Sequence, residues 1–180
     1  MKKILTILAD GFEETEAIAV ADVLMRAGFQ VCLAGLDTKT VRGAHGIKIT
    51  ADALLADVCN DAFDAVFLPG GLPGATNLLA SETTGKVLQE TYSRGGVVSA
   101  ICAAPIVLAA HGMLDGKTFT MYPGFDSYLN GMTPTGRAAE RCGNVVTGKG
   151  PGAVFAFASE LAAALGVSTT ELYGGMFVEL

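Results

Sequence analysis

One cysteine in this sequence sits where a nucleophile would. The stretch VVSAICAAPIVLAA (97–110) runs from an apolar strand-like segment into a helix-like one, and Cys102 stands at the change. Ala100 and Ala104, two positions away on either side, are small. A sharp strand-to-helix turn needs that smallness, because it brings neighbouring backbone close. Pro105 can occupy the first helical turn, where its missing N–H costs nothing. A thiol at a helix start feels partial positive charge, and such settings bring thiol pKa values from about 8.5 into a range of about 3.5–7.5. The expectation is a thiolate at neutral pH. Beside it stands a plainer reading, in which Cys102 only packs, as free cysteines often do. The other cysteines lack the setting. Cys32 lies inside an apolar strand, and Cys59 and Cys142 lie in polar, loop-like surroundings.

The second chemical stretch is GFEETEA (11–17). Glu13, Glu14 and Glu16 open a helix, where carboxylates complement the dipole. Glu13 and Glu14 read as a solvated helix start. Glu16 points to another side. If strands 3–9 and 96–101 are neighbours in the sheet, that side faces the Cys102 loop. A carboxylate beside a thiolate would repel it, so the pair requires a protonated Glu16 that donates to sulfur. Such an acid is also a proton shuttle. Gly70 and Gly71, in the loop LPGG, could direct an amide at an oxyanion formed over Cys102.

Two other patterns carry less. Gly148-Lys149-Gly150-Pro151-Gly152-Ala153 fits a dinucleotide fingerprint and overlaps a Walker-like spacing. No following βα unit supplies a ribose-binding acid, Gly150 stands where Ser or Thr should be, and close backbone packing explains the glycines. No Ser-His-Asp set is convincing. His111 reads as a helix C-terminal or surface residue and His45 as part of a hairpin. Two histidines and scattered cysteines give no zinc spacing, so neither metal nor cofactor is expected.

The elements that must position these residues alternate. Strands are expected at 3–9, 29–35, 65–71, 96–101, 117–123 and from 143 into a loop ending at 153. A hairpin is expected at 40–50, with Gly43 and Gly46 bracketing its turn. Helices are expected at 14–28, 83–93, 104–112 and 154–166. Alternation with near-continuous apolar strands implies α/β architecture, a mostly parallel central sheet covered by helices on both faces, in a single domain. Ligands bind beyond the carboxyl ends of such strands. The loops leaving those ends are 9–16, 68–75, 100–105 and 147–153, so chemistry is expected where they meet.

Composition narrows the function classes. The chain has 180 residues, 51% hydrophobic and 17% charged, which suits one globular domain. Its net charge is −6 with no Lys/Arg run, which weighs against nucleic acid and anionic membranes. No stretch reaches the about 18 apolar residues of a membrane span. The opening MKKILTILADGFEETE imitates an export signal only briefly, since acid follows Ala9 at once. Free thiols in a cytoplasmic location are the expectation.

Taken together, ILADGFEETEA, DVLMRAG, VFLPGG, AICAAP and TGKGPGA resemble the DJ-one/ThiJ/PfpI superfamily, in order and over nearly the whole chain. The resemblance implies a flavodoxin-like three-layer sandwich and a homodimer. It implies a reactive Cys102, a protonated Glu16 and an oxyanion site from the Gly71 and Ala103 amides. Many members carry a His-Pro pair near the cysteine, where this chain has Tyr122-Pro123, so Tyr122 is a candidate hydrogen-bond donor or a buried structural tyrosine. His45 matches an arginine of some relatives, near their dimer interface and active site, and Arg26 matches another basic interface position. The implied activity is a cofactor-free, cysteine-dependent one on small reactive carbonyls, of glyoxalase III or deglycase type and stress-protective. A redox-sensing cysteine protein or chaperone without turnover is the alternative. A cysteine peptidase or amidase ranks last, because no histidine base can be placed.

Overall fold

The structure is a computed structural model and describes residues 1–179. In chain order its strands and helices are β1 (Lys3–Leu8), α1 (Glu14–Arg26), β2 (Gln30–Gly35), β3 (Thr40–Arg42), β4 (Lys48–Thr50), β5 (Ala53–Leu54), α2 (Leu55–Val58), β6 (Ala65–Leu68), α3 (Gly74–Ala80), α4 (Glu82–Ser93), β7 (Val97–Ile101), α5 (Pro105–Ala110), β8 (Ala139–Cys142), β9 (Val145–Gly148), α6 (Val154–Ala164) and α7 (Thr170–Met176). Seven strands form one sheet in the order β5-β2-β1-β6-β7-β9-β8. All pairings in it are parallel except β8 with β9. The strands β1, β6, β7 and β9 are buried almost throughout, which is why their sequences read as apolar runs rather than alternations.

Alternate strand residues feed two cores. Ile4, Ala65, Phe67 and Val146 pack with Val20 and Leu24 of α1 and Phe157 and Leu161 of α6. Leu5, Ile7, Val66 and Val98 pack on the opposite face with Leu78, Leu88, Ile106 and Leu108, from α3, α4 and α5. The result is the single-domain α/β architecture expected from the alternation, in the flavodoxin-like three-layer form that the resemblance implies. No helix among the described residues is long and apolar enough to cross a membrane.

Several boundaries differ from the expectations, for local reasons. Residues 117–123 form no strand. They run as an extended strap bonded sideways, Thr120 N–H to Thr147 Oγ1 at 2.9 Å and Tyr122 N–H to the Cys102 carbonyl at 2.9 Å. β6 stops at Leu68 because Pro69 and the glycines after it leave the ladder. Cys142 lies in the edge strand β8, not in a loop. The helices α3 and α7 and the short β5–α2 unit carry too little periodicity to be read beforehand.

Candidate active site

Hydrogen bonds tie the four strand-end loops together. Glu13 N–H donates to the Gly70 carbonyl at 2.9 Å, Gly74 N–H to that of Gly11 at 3.2 Å, and Cys102 N–H to that of Gly148 at 2.9 Å. Cys102 itself is held at φ 62°, a left-handed conformation rare for a residue with a side chain. Its N–H and carbonyl are both bonded, to Gly148 and Tyr122, which keeps the turn sharp. Half-buried, the thiol projects from the end of β7.

β1 and β7 are not neighbours, contrary to the condition set for Glu16, because β6 lies between them. The carboxylate reaches the cysteine over the loop that follows β6. Glu16 is fully buried, and its Oε2 accepts from Gly70 N–H at 2.8 Å. A Cβ on Gly70 would lie 2.6 Å from the Cys102 Cβ and 2.8 Å from Glu16 Oε2. Glycine at 70 is therefore the aperture through which acid and thiol meet. Glu16 Oε1, also buried, has no hydrogen-bond partner among the described residues, and the Cys102 thiol lies within hydrogen-bonding reach of the carboxyl.

The charges correct one expectation. Burial pushes Glu16 up to about 7, helped by the charge of Glu13 and opposed by hydrogen bonds from Cys102 and Gly70. Cys102 moves up as well, to about 12, through burial first and then the Glu16 charge and hydrogen bond. The amides of Ala103 and Gly71 pull it down but do not win. With only six residues, α5 offers a weak field. The resting group is thus a thiol beside an acid poised at neutrality, not a free-standing thiolate. The Gly71 and Ala103 amides donate to no backbone carbonyl among the described residues, so they remain available to an anion at the sulfur.

The other candidates separate. Tyr122 is 48% exposed rather than buried, and its ring packs over Gly150. His45 is exposed, and its Nδ1 lies 2.7 Å from Glu14 Oε2, so it serves Glu14 and not Cys102 of its own chain. His111 Nδ1 lies 3.3 Å from Gln89 Nε2, on the α4 side of the sheet. Arg26 pairs with Asp22 at 2.7 Å at the far end of α1, about 15 Å along the helix from Glu16. The glycine-rich 148–153 loop packs closely, as the plainer reading held. A Cβ on Gly148 would meet Ile101 Cγ1 at 2.7 Å.

Sequence reasoning mistook Glu13 and Glu14 for solvated residues. Glu13 caps α1, accepting from Glu16 N–H at 2.7 Å. Glu14 is buried under the β3–β4 hairpin and accepts from His45 N–H at 2.7 Å and Ile47 N–H at 3.3 Å. Those bonds and His45 hold its carboxyl below the usual range although burial works the other way. The usable signal was Gly43, where any Cβ would collide with the Glu14 carboxylate.

Comparison with known proteins agrees with this fold. The model of the DJ-1/PfpI family matches residues 2–164. Protein dj-1beta of Drosophila melanogaster is 43% identical over 164 residues, covering 89% of this chain and 88% of that protein. The glutathione-independent glyoxalase DJR-1.2 of Caenorhabditis elegans is 38% identical, covering 83% of this chain and 80% of its own. The crystal structure of Drosophila melanogaster DJ-1beta superposes with a TM-score of 0.91 at 38% identity, over 99% of both chains. The chain belongs to the DJ-1/PfpI family.

Proposed function

We propose that the chain converts small 2-oxoaldehydes to 2-hydroxy acids without glutathione, with Cys102 as nucleophile and Glu16 as proton carrier. One observation carries the reading: a buried carboxyl poised near neutrality, one of its oxygens unpartnered among the described residues, within hydrogen-bonding reach of the Cys102 thiol. A general base works best when its pKa lies near the operating pH. The relative named a glutathione-independent glyoxalase supports the substrate class.

The ionised Glu16 takes the thiol proton as sulfur adds to the aldehyde carbon. The Gly71 and Ala103 amides hold the oxygen that gains the electron pair. Glu16 returns the proton to that oxygen, giving a hemithioacetal. It then removes the hydrogen on the same carbon, and the electrons move to the neighbouring carbonyl. Glu16 then delivers that proton to the neighbouring carbon, while the hydroxyl proton of the hemithioacetal passes to the neighbouring oxygen, and the new carbonyl leaves a 2-hydroxyacyl thioester on Cys102. Water cleaves it to the hydroxy acid and the thiol. One carbon is oxidised and its neighbour reduced, so only water enters.

The test is lactate formation from methylglyoxal without glutathione, comparing wild type with Cys102→Ala and Glu16→Ala. Both variants should lose at least about a hundredfold in kcat/KM. Equal rates in all three would remove the proposal. The same two amides and the Glu16 hydroxyl would also hold a sulfinate, so oxidation under peroxide is the second reading. It predicts, by mass spectrometry, that Cys102 oxidises before Cys59. For partners we propose a second copy on the outer face of α1, where Ile18 and Met25 stand exposed.

A further inference from the structure

A cavity of about 480 Å³ opens beyond the carboxyl end of β9. Its walls are Tyr122–Pro123, Gly136, Ala138 and the loop from Lys149 to Ala153. Two of these walls are fastened to the cysteine. Tyr122 N–H donates to the Cys102 carbonyl, and Lys149 follows Gly148, whose carbonyl accepts from Cys102 N–H. Lys149 N–H is in turn bonded to the Ala138 carbonyl at 2.9 Å, which closes the far wall. The cavity is therefore joined to the backbone of the reacting cysteine by covalent and hydrogen-bonded connection.

Its size and lining do not suit the smallest 2-oxoaldehyde. A volume of this order is that of a site for a ligand of several rings or a ring with substituents. Prolines, alanines and glycines supply a rigid apolar surface, and the half-exposed ring of Tyr122 offers a face for stacking. Two of the lining residues carry polar side-chain ends, the exposed Lys149 and Tyr122. Neither makes a side-chain hydrogen bond or an ion pair among the described residues, although the chain as a whole is acidic with a net charge of −6. No carboxylate lines the cavity. An unpaired cation at the edge of an apolar slot, in an acidic protein, matches a planar body ending in a negative group.

We propose that this cleft is a substrate subsite selecting 2-oxoaldehydes whose substituent is an aromatic or similarly flat group bearing a carboxylate, with Lys149 pairing the carboxylate. The proposal rests on the 2-oxoaldehyde reading of Cys102 and Glu16, and adds the part of the substrate that does not react. In it, Lys149 determines specificity and takes no part in proton transfer. Binding energy from such a remote group raises kcat/KM for the substrate that carries it.

The experiment compares 4-carboxyphenylglyoxal with phenylglyoxal in wild type, Lys149→Met and Lys149→Arg. The ratio of their kcat/KM values should fall about tenfold in Lys149→Met, the worth of one charge-assisted hydrogen bond in a half-open site. Lys149→Arg should recover most of it. A second arm needs no turnover. Calorimetry measures 4-carboxymandelate, the corresponding product, binding to Cys102→Ser protein, and Kd should weaken about tenfold when Lys149→Met is added. A ratio and a Kd both indifferent to Lys149, in protein that turns over methylglyoxal, overturn the subsite and leave the reaction standing. Binding that depends on Lys149 in protein that turns over no aldehyde sinks the reaction and leaves the subsite. Neither turnover nor binding removes both.

Discussion

Replacing Glu16 by glutamine separates the two groups that titrate in the site. In the wild type the acid and thiol together hold one proton between about pH 7 and about pH 12. Within that interval a constant fraction of molecules carries the proton on Glu16 and the charge on sulfur. Alkylation of Cys102 should therefore climb as pH passes about 7, level off, and climb again only near 12. Glutamine keeps the shape of the side chain and removes its charge. Two like charges about 4 Å apart at an effective dielectric of 20 repel by about 4 kcal/mol, which bounds the loss at about three pKa units. Burial, the larger cause, stays. The Glu16→Gln sulfur should titrate in one step, below about 12 and not below the ordinary 9.0. The assay is iodoacetamide labelling against pH, read by mass spectrometry on the peptide containing residue 102 so that the other thiols do not interfere. A wild-type profile with no step near 7, or a Glu16→Gln profile that keeps one, refutes the assignment of the poised proton to Glu16.

Other perturbations read other parts of the argument. The native state holds a proton on Glu16 up to about 7, whereas the unfolded chain releases it near 4.5. Stability from this group is therefore full below 4.5 and is lost as pH rises through about 7, by about 3 kcal/mol in all. Glu16→Gln should consequently gain on wild type in urea midpoint between pH 5 and pH 8, and a constant difference would contradict the shift. Gly70→Ala places a methyl within 2.6 Å of the Cys102 Cβ, and kcat should fall about a hundredfold while circular dichroism remains native. Glu14→Ala leaves the His45 and Ile47 amides without their acceptor at a cost of about 1–3 kcal/mol, and hydrogen exchange at residues 43–47 should quicken. Because the Glu14 carboxyl sits below its ordinary range, its contribution is present at neutrality and fades as pH falls. Ile18→Asp with Met25→Asp should sediment as single chains if the second copy covers α1, and an undisturbed dimer would place the contact elsewhere.

The sheet was legible because its parallel strands are buried on both faces. A run such as KILTIL has no polar alternation to disguise it. The meeting of four loops followed from the alternation alone, since parallel strands put every βα loop at one end. The order of strands did not follow. Nothing in residues 65–68 announces that β6 separates β1 from β7, so the route from Glu16 to Cys102 was drawn directly and lacked Gly70 as its aperture. The strap at 117–123 was misread for a related reason. Its alternation is real, but its hydrogen bonds go to a threonine hydroxyl and to the cysteine's own carbonyl, partners that periodicity cannot reveal. The thiol's pKa failed as an inference because a helix start was weighed without the burial and the neighbouring charge that outweigh it.

Three glutamates within one turn of α1 show how far position overrides residue type. All three could be taken for dipole-complementing acids. Glu13 faces back along the helix and satisfies the orphan amide of Glu16, so it is fixed by the backbone it caps. Glu14 faces the hairpin, receives two amides and a histidine, and is held ionised. Glu16 faces inward, receives one amide, and has burial and the charge of Glu13 against its ionisation. The first two acids thereby do work for the third. The Glu13 cap fixes the register of the helix start that directs Glu16 inward, and its charge helps keep the proton there. Glu14 pins the hairpin to the same turn, and Arg42 and Ala44 of that hairpin bond to Gly11 and Phe12 in the loop leading to the site. Glu13→Gln tests the dependence directly. It keeps the cap's oxygen and removes one charge, so the lower step of the Cys102 labelling profile should move to a pH below about 7. A step that does not move would mean that burial alone sets the proton on Glu16.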